Sequence, residues 1–424
     1  MQELKRIINY KRIILLLIAA TVNVVFFLYD NKPVMDEDII NKENVAHETY
    51  IKNYHEEVNA IIDNADKLKK YSIFNKAGSF SYANILQTAR DFERVKNVIL
   101  PEDEYKGVQA YTTYYYQYFF TMLVMMFVIY DMFAQRDNGM WSITYSCANG
   151  RIMYAIKQTG VIVVTGAFTH TLIYWSTFIA AMLQRGGVRD LVNPVQTIET
   201  FDKFTYPWSK IKYVTVLYLI SMVCIVALCI TIWGVFVMFR NRVYALVTML
   251  IFAAVEQFIY SHIDIHSVWN GLHYINIINI ININATFSSY RNWGVGTYVF
   301  PVFSVVLFVH IICAGVIGYI AINVSASMKP YKNTTFIKRF TDCVSAGCQK
   351  ILARIPFLFK EIHKFIFTSH CGWVVVVMLT VTAYVCQTGQ YHYTDDNKYM
   401  DSEYMLHGGK DYTYFQDYLD NLYQ

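Results

Sequence analysis

Long apolar runs separated by short polar stretches dominate the hydrophobic pattern of this chain. Seven runs are long enough to cross a bilayer, which takes roughly 17–25 residues as a helix. Their ranges are Ile13–Tyr29 and, approximately, 114–133, 160–183, 213–239, 243–260, 299–324 and 371–387. The runs are continuous and do not alternate with polar residues, so they indicate helices. The pattern therefore predicts an all-α polytopic membrane protein with about seven transmembrane helices.

A long polar insert, residues 30–113, separates the first two runs. Within it, apolar residues recur every three or four positions from Ile51 to Leu68, and again from Tyr82 to Val95. This spacing is typical of amphipathic helices. Ala77-Gly78-Ser79 separates the two stripes, which predicts a helical hairpin outside the membrane. Such a domain recognises a substrate or partner, or it is a structural cap, and the sequence leaves both open.

The distribution of charge predicts the orientation. The short segments 1–12, 134–158, 240–242 and 325–370 are basic, whereas the tail 388–424 is acidic. Basic loops stay on the cytoplasmic side, so we expect a cell-membrane protein with a cytoplasmic N-terminus.

The predicted domains follow from these runs. A first helix ending at residue 29 precedes the insert, and residues 114–324 form a bundle of five helices with a cytoplasmic segment at 134–158. A basic linker at 325–370 and a seventh helix at 371–387 come next. Residues 357–396 repeat the order of features at the N-terminus: basic residues, an apolar run, then an acidic stretch. This weak internal repeat suggests that 388–424 starts a second, incomplete extracellular domain, as in the first half of a duplicated protein.

The composition and the missing sequence motifs argue against a soluble protein and against several classes of enzyme. Charged residues make up 16% of the chain, below the roughly 25% of soluble domains. A G-x-x-x-x-G-K-[ST] phosphate loop is missing from the sequence, so the chain is not expected to hydrolyse ATP itself. H-E-x-x-H, G-x-S-x-G and C-x-x-C are missing too, and we predict no enzyme activity, cofactor or nucleic-acid partner. His262, Asp264, His266 and His273 have metal-ligand spacing, but polar residues at a membrane interface are the preferred interpretation.

The segment from Asp131 to Lys157 is the most distinctive polar interval. It reads as a short amphipathic helix, a turn at Asn149-Gly150 and the re-entry of the chain into lipid. A segment between two spans on the cytoplasmic face is accessible to a soluble partner, and Trp141 and Tyr145 are candidate anchors in such a partner's groove. The alternative is a loop that only turns the chain.

This layout resembles the export-type permeases of ATP-binding-cassette (ABC) transporters. The residues that carry the resemblance are Asp137, Gly139, Gly150-Arg151 and Lys157; the sequence departs from the family pattern where Cys147-Ala148-Asn149 replaces a proline before the arginine. Residues 269–296 also resemble the re-entrant extracellular stretch of Firmicute members with tandem halves.

The resemblance implies an exporter of peptides or lipid-like molecules that works with a separate ATP-binding subunit. It implies a second permease half or a homodimer as a partner, with membrane lipids around it. The implied ATPase contacts are Arg136, Asp137, Gly139, Trp141, Arg151 and Lys157.

Three ionisable residues at membrane depth complete the candidates: His170, Glu256 and His310. A charge at the bilayer centre costs at least about 2.5–3.5 kcal/mol, so such groups usually face the bundle interior or a wet cavity. Two roles are open for Glu256: it lines a transport path, or it is hydrogen-bonded within the bundle. The structural role is preferred. Two rival functions stay open, a membrane sensor or scaffold with a ligand-binding ectodomain, and a membrane-embedded enzyme.

Overall fold

A computed structural model describes residues 10–33, 37–70, 76, 78–101, 106–134, 145–146, 150–239, 241–263 and 269–327. Contacts divide the chain into two units, residues 1–330 and 331–424, and all described residues belong to the first. The predicted seventh helix and the second extracellular domain lie outside the described residues, as does all but the start of the basic linker. The same holds for Arg136, Asp137, Gly139 and Trp141.

α-Helices make up most of the described structure. In chain order they are α1 (Tyr10–Asp30), α2 (Glu37–Leu68), α3 (Phe80–Glu93), α4 (Lys106–Thr113), α5 (Tyr116–Met132), α6 (Ile152–Arg185), α7 (Lys210–Met238) and α8 (Arg242–His262). Three short helices follow, α9 (Asn270–Ile275), α10 (Ile277–Ile281) and α11 (Ile283–Ser288), then strands β1 (Asn292–Val295) and β2 (Tyr298–Pro301) and helix α12 (Val302–Ser327).

Within the described residues, five helices are long and apolar enough to span a membrane. They are Arg12–Asp30 of α1, α6, α7, α8 and α12, and the apolar α5 is shorter at 17 residues. The prediction of a helical membrane protein is thus confirmed in outline, whereas the count of seven spans stays a prediction.

Helix α6 begins earlier than the apolar run alone indicates. The run was placed at 160–183, but the helix starts at Ile152 and has 34 residues. At 1.5 Å per residue it is about 51 Å long, well beyond the roughly 30 Å hydrocarbon core. It ends at Arg185 and is followed by Gly186 and Gly187, both with positive φ, a conformation that glycine adopts without strain.

The expected start of the sixth span, near residue 299, is wrong. Residues 298–301 form β2, which pairs antiparallel with β1 around a Gly296-Thr297 turn, so that Val299 lies opposite Gly294. Aromatic and β-branched residues favour strands, and the positive φ of Gly296 fits a hairpin turn. The helix begins only after Pro301, at Val302.

Helix α7 is the centre of the bundle. Its buried side chains include Cys224, Cys229, Trp233 and Phe236. Gly234 of α7 lies against Ile317 and Ala321 of α12, since a Cβ added to it would lie 2.4 Å from Cγ2 of Ile317 and 3.6 Å from Cβ of Ala321. Gly318 of α12 lies against Ile230 of α7 in the same way, at 3.0 Å from an added Cβ. Small residues allow membrane helices to approach closely, so α7 and α12 pack closely at these glycines.

The two stripes of the polar insert pack against each other. Tyr54 and Val58 of α2 are buried together with Phe92, Val95 and Leu100 from α3 and the residues after it. Apolar residues at helical spacing have thus formed a small core of their own. The assignment of this pair as an extracellular hairpin domain stays a prediction.

Candidate functional site

One end of the bundle gathers the starts of α1, α6 and α8 and the ends of α5, α7 and α12. Arg12 at the start of α1 donates from Nε to Oδ2 of Asp131 at 3.0 Å, and the Arg242 guanidinium lies 4.5 Å from the ring centre of Tyr130. Phe133 and Phe236 pack with ring centres 5.6 Å apart. We call this end, marked by Arg12, Arg151 and Arg242, the basic end.

Tyr145 attaches the segment between α5 and α6 to the bundle at this end. Its hydroxyl lies 2.6 Å from Oγ of Ser325, in the last turn of α12, and its ring packs edge-on against Tyr154 of α6 at 6.1 Å. The side chain is only 9% exposed. The expectation that Tyr145 anchors in a partner's groove is therefore wrong, because the chain's own helices bury it.

Arg151 and Lys157 are the predicted ATPase contacts that the structure describes. Arg151 precedes the first residue of α6 with non-helical angles, φ −92 and ψ −83, and it is exposed. Lys157 lies inside the helix, in its second turn, and is also exposed. Both cations thus project from one rigid element at the basic end, where a partner can reach them.

His170 lies in the bundle interior, as its predicted membrane depth requires. Its ring is stacked between those of Tyr118 and Tyr218, with centres 5.9 and 5.8 Å away. Nε2 lies 2.9 Å from the Ser221 hydroxyl, and the residue is 1% exposed. A buried, hydrogen-bonded histidine packed between rings fixes α5, α6 and α7 relative to one another.

Asn23 is a buried polar residue that the sequence analysis did not single out. Its Nδ2 donates to Oγ1 of Thr177 at 2.7 Å, and its Oδ1 accepts from the Tyr114 hydroxyl at 3.0 Å. The signal was an asparagine in the middle of the apolar first run. A second such link joins the Tyr213 hydroxyl to Oδ1 of Asn284 at 2.7 Å.

Glu256 fastens the C-terminal half of α8 to the short helices. Its Oε2 accepts from the backbone N–H of Ile277 at 3.0 Å, and its backbone carbonyl accepts from Nδ2 of Asn276 at 2.7 Å. The side chain is half-buried. These two contacts are those expected of a structural role for Glu256, which was the preferred interpretation. They engage only one of its two carboxylate oxygens.

The described histidines near the C-terminal end of α8 have structural partners. His262 stacks on Phe258 with ring centres 4.0 Å apart, and Nδ1 of His273 lies 3.0 Å from the Tyr260 carbonyl. Burial lowers the pKa of His273, the Tyr260 hydrogen bond opposes this, and nearby Arg291 adds to the lowering. Asp264 and His266 lie outside the described residues, and among those described no group of three possible metal ligands occurs.

A polar cluster joins α3 to the residues before β1. The Tyr290 hydroxyl donates to Oδ2 of Asp91 at 3.0 Å and accepts from Nδ2 of Asn292 at 3.0 Å. Burial is the main cause that raises the pKa of Tyr290 to about 12. Asp91 also receives Nε2 of Gln87 at 2.9 Å, so this carboxylate organises the contact between the insert and the β-hairpin.

Comparisons with known proteins leave the family open: no family model, no curated protein and no solved structure matches this chain.

Proposed function

We propose that this chain is the permease subunit of an ATP-binding-cassette exporter, powered by a separate ATPase subunit. The proposal includes seven spans, a cell-membrane location with the basic end in the cytoplasm, and the α2–α3 pair outside the cell. A second permease half or a second copy completes the transport path, and the cargo is a peptide or a lipid-like molecule.

The observation that carries the proposal is the attachment of the segment between α5 and α6. Its Tyr145 is bonded to Ser325 of α12 and packs against Tyr154 of α6, and Arg151 directly precedes the first residue of α6. A push at Tyr145 therefore acts on α6 and α12 together. Such an element suits a protein whose helices are moved by a soluble partner, and it has less use in a passive scaffold.

The exposed cations Arg151 and Lys157 supply the contact chemistry. Both lie at the start of α6, six residues apart along the chain. Cations at an interface strengthen and orient the encounter with an acidic partner surface. The ATPase surface that meets them is expected to carry carboxylates.

Affinity purification of the tagged full chain from its native membranes tests the proposal. We expect an ATP-binding-cassette ATPase to co-purify and its ATP hydrolysis to depend on this chain. The double variant Arg151→Glu, Lys157→Glu should reduce the amount of bound ATPase at least tenfold. Lys32→Glu is the matched control, because Lys32 is an exposed cation that follows α1 at the opposite end.

The alternative functions predict other results. A membrane sensor would bring down a partner without ATPase activity, and the double variant would leave any ATPase association unchanged. Recovery of an ATPase in equal amounts from wild type and double variant would contradict the assigned contact surface. Recovery of none would contradict the exporter itself.

A further inference from the structure

One face of the β1–β2 hairpin is apolar and exposed. Trp293 pairs with Phe300 and Val295 pairs with Tyr298, and because paired residues and residues two apart in a strand share a face, these four side chains lie on the same side of the hairpin. Val295 is 63% exposed, Tyr298 71% and Phe300 42%. We call these four residues the hairpin face. Large apolar side chains clustered at a surface mark a contact with something else.

The opposite face of the hairpin is covered by the chain itself. Gly294 and its partner Val299 belong to that side, and a Cβ added to Gly294 would lie 2.4 Å from the ring of Phe80 in α3. The ring of Phe80 therefore lies flat against the backbone of β1, at a position where only a glycine leaves room for it. This contact fixes the hairpin face so that it points away from α3.

Helix α8 measures the depth at which this face lies. Its 21 residues start from Arg242 at the basic end and, at 1.5 Å per residue, extend about 31 Å, which matches the roughly 30 Å hydrocarbon core of a bilayer. At the other end of α8, His273 of α9 stacks on Tyr260 with ring centres 4.4 Å apart. A Cβ added to Gly271, also in α9, would lie 3.1 Å from the ring of Trp293. The hairpin is thus joined to α8 where the hydrocarbon core ends.

The connection to α12 gives the same depth. The chain passes from β2 directly into α12, which begins at Val302 and is long and apolar enough to span a membrane. Its 26 residues extend about 39 Å, more than the hydrocarbon core but within the roughly 40–45 Å that includes the headgroup layers. Residues 292–301 contain no Asp, Glu, Lys or Arg. An uncharged strand pair at this depth, with tryptophan and tyrosine on its free face, has the composition of a membrane interface.

We propose that the hairpin face binds the lipid surface, in the headgroup layer at the end of the bundle opposite the basic end. Val295 and Phe300 contact the upper part of the acyl chains, and Tyr298 keeps its ring in apolar surroundings with its hydroxyl in water. The contact holds the start of α12 at a fixed depth, and through Phe80 it holds α3 against the membrane. The inference goes beyond the proposed function, because contact with lipid needs neither an ATPase nor a cargo.

Photocrosslinking of the full chain in nanodiscs of tritiated phosphatidylcholine tests the contact. The photoreactive residue p-benzoylphenylalanine replaces Tyr298, and in separate variants it replaces Phe308 or Val45. Phe308 lies within α12 and is 64% exposed, whereas Val45 is equally exposed, at 63%, but lies between Glu43 and Glu48 in α2. We expect position 298 to take up at least fivefold more radiolabelled lipid per protein than position 45, and to come within threefold of position 308.

A second measurement determines the depth. Tyr298→Trp adds a fluorophore whose emission, after subtraction of the wild-type spectrum, should be quenched at least twofold more by lipids brominated near the headgroup than by lipids brominated near the chain end. Phe300 offers a second position for both probes, so the test does not depend on the folding of one variant.

Three results would overturn the inference. They are lipid uptake at position 298 no higher than at position 45, a covalent dimer of the chain in place of the lipid adduct, and stronger quenching from the chain ends. The dimer would assign the hairpin face to a second copy, and the chain-end quenching would place it inside the hydrocarbon core. The assay contains no ATPase, so its failure leaves the exporter proposal standing, and failure to recover an ATPase leaves the lipid contact standing.

Discussion

Asn23 provides the sharpest test of how the bundle is held together. It is fully buried in α1, and its side chain bonds to Thr177 of α6 and to Tyr114, which precedes α5. Asn23→Ala removes both side-chain hydrogen bonds. Polar links between membrane helices contribute about 0.6 kcal/mol on average and about 1.7 at most. Two of them give an expected cost of about 1–3 kcal/mol.

The partners of Asn23 limit this cost to the lower part of that range. The Tyr114 hydroxyl also reaches the Asn23 backbone carbonyl at 3.2 Å, and the Thr177 hydroxyl donates to the Ile173 carbonyl at 2.7 Å. Neither group is left unpaired in the variant, so the larger penalty for an unsatisfied buried group does not apply. We therefore expect a destabilisation of about 1–2 kcal/mol.

Reversible unfolding in mixed micelles measures this cost. Thr21→Ala is the matched control, because Thr21 is exposed on the same helix. Its hydroxyl donates only to the Leu17 carbonyl, one turn earlier in α1. A double-mutant cycle with Thr177→Val should give a coupling free energy of about 0.6–1.7 kcal/mol. A cost for Asn23→Ala no larger than that of Thr21→Ala, with no coupling to Thr177, would refute the reasoning.

Further predictions concern packing and pH. Gly234→Ala should cost about 1–3 kcal/mol, because its Cβ would meet Ile317 at 2.4 Å; Gly315→Ala, with no atom within 4 Å of its Cβ, should be neutral or stabilising in the same unfolding assay. His273 has a lowered folded-state pKa, so its contribution to stability is present above about pH 6.5 and is lost as pH falls; acid unfolding of His273→Gln should lack this component. The pKa of Tyr290 is raised to about 12, so its contribution is present below about pH 10 and is lost as pH rises towards 12. Tyr290→Phe should flatten alkaline unfolding in that window, and identical curves would contradict the assignment.

The sequence by itself determined which of the described segments form long apolar helices. Apolar runs of sufficient length must satisfy their backbone groups internally, and a helix does so without any partner. Helical spacing also determined the apolar faces of α2 and α3, since Tyr54 and Val58 fall on one stripe. These features depend on neighbours a few residues apart, so local pattern is enough to predict them.

Tertiary structure alone decided which polar groups meet. Asn23 and Thr177 are 154 residues apart in the chain, and Tyr145 and Ser325 are 180 apart. Periodicity indicates which side of a helix is apolar, but it does not identify the helix that covers it. Tyr145 was therefore assigned to a partner's groove when it is buried in its own bundle. The Glu256 carboxylate likewise meets the Ile277 N–H because α10 begins at Ile277, after the helix boundary at Asn276, so that this N–H has no acceptor within its own helix.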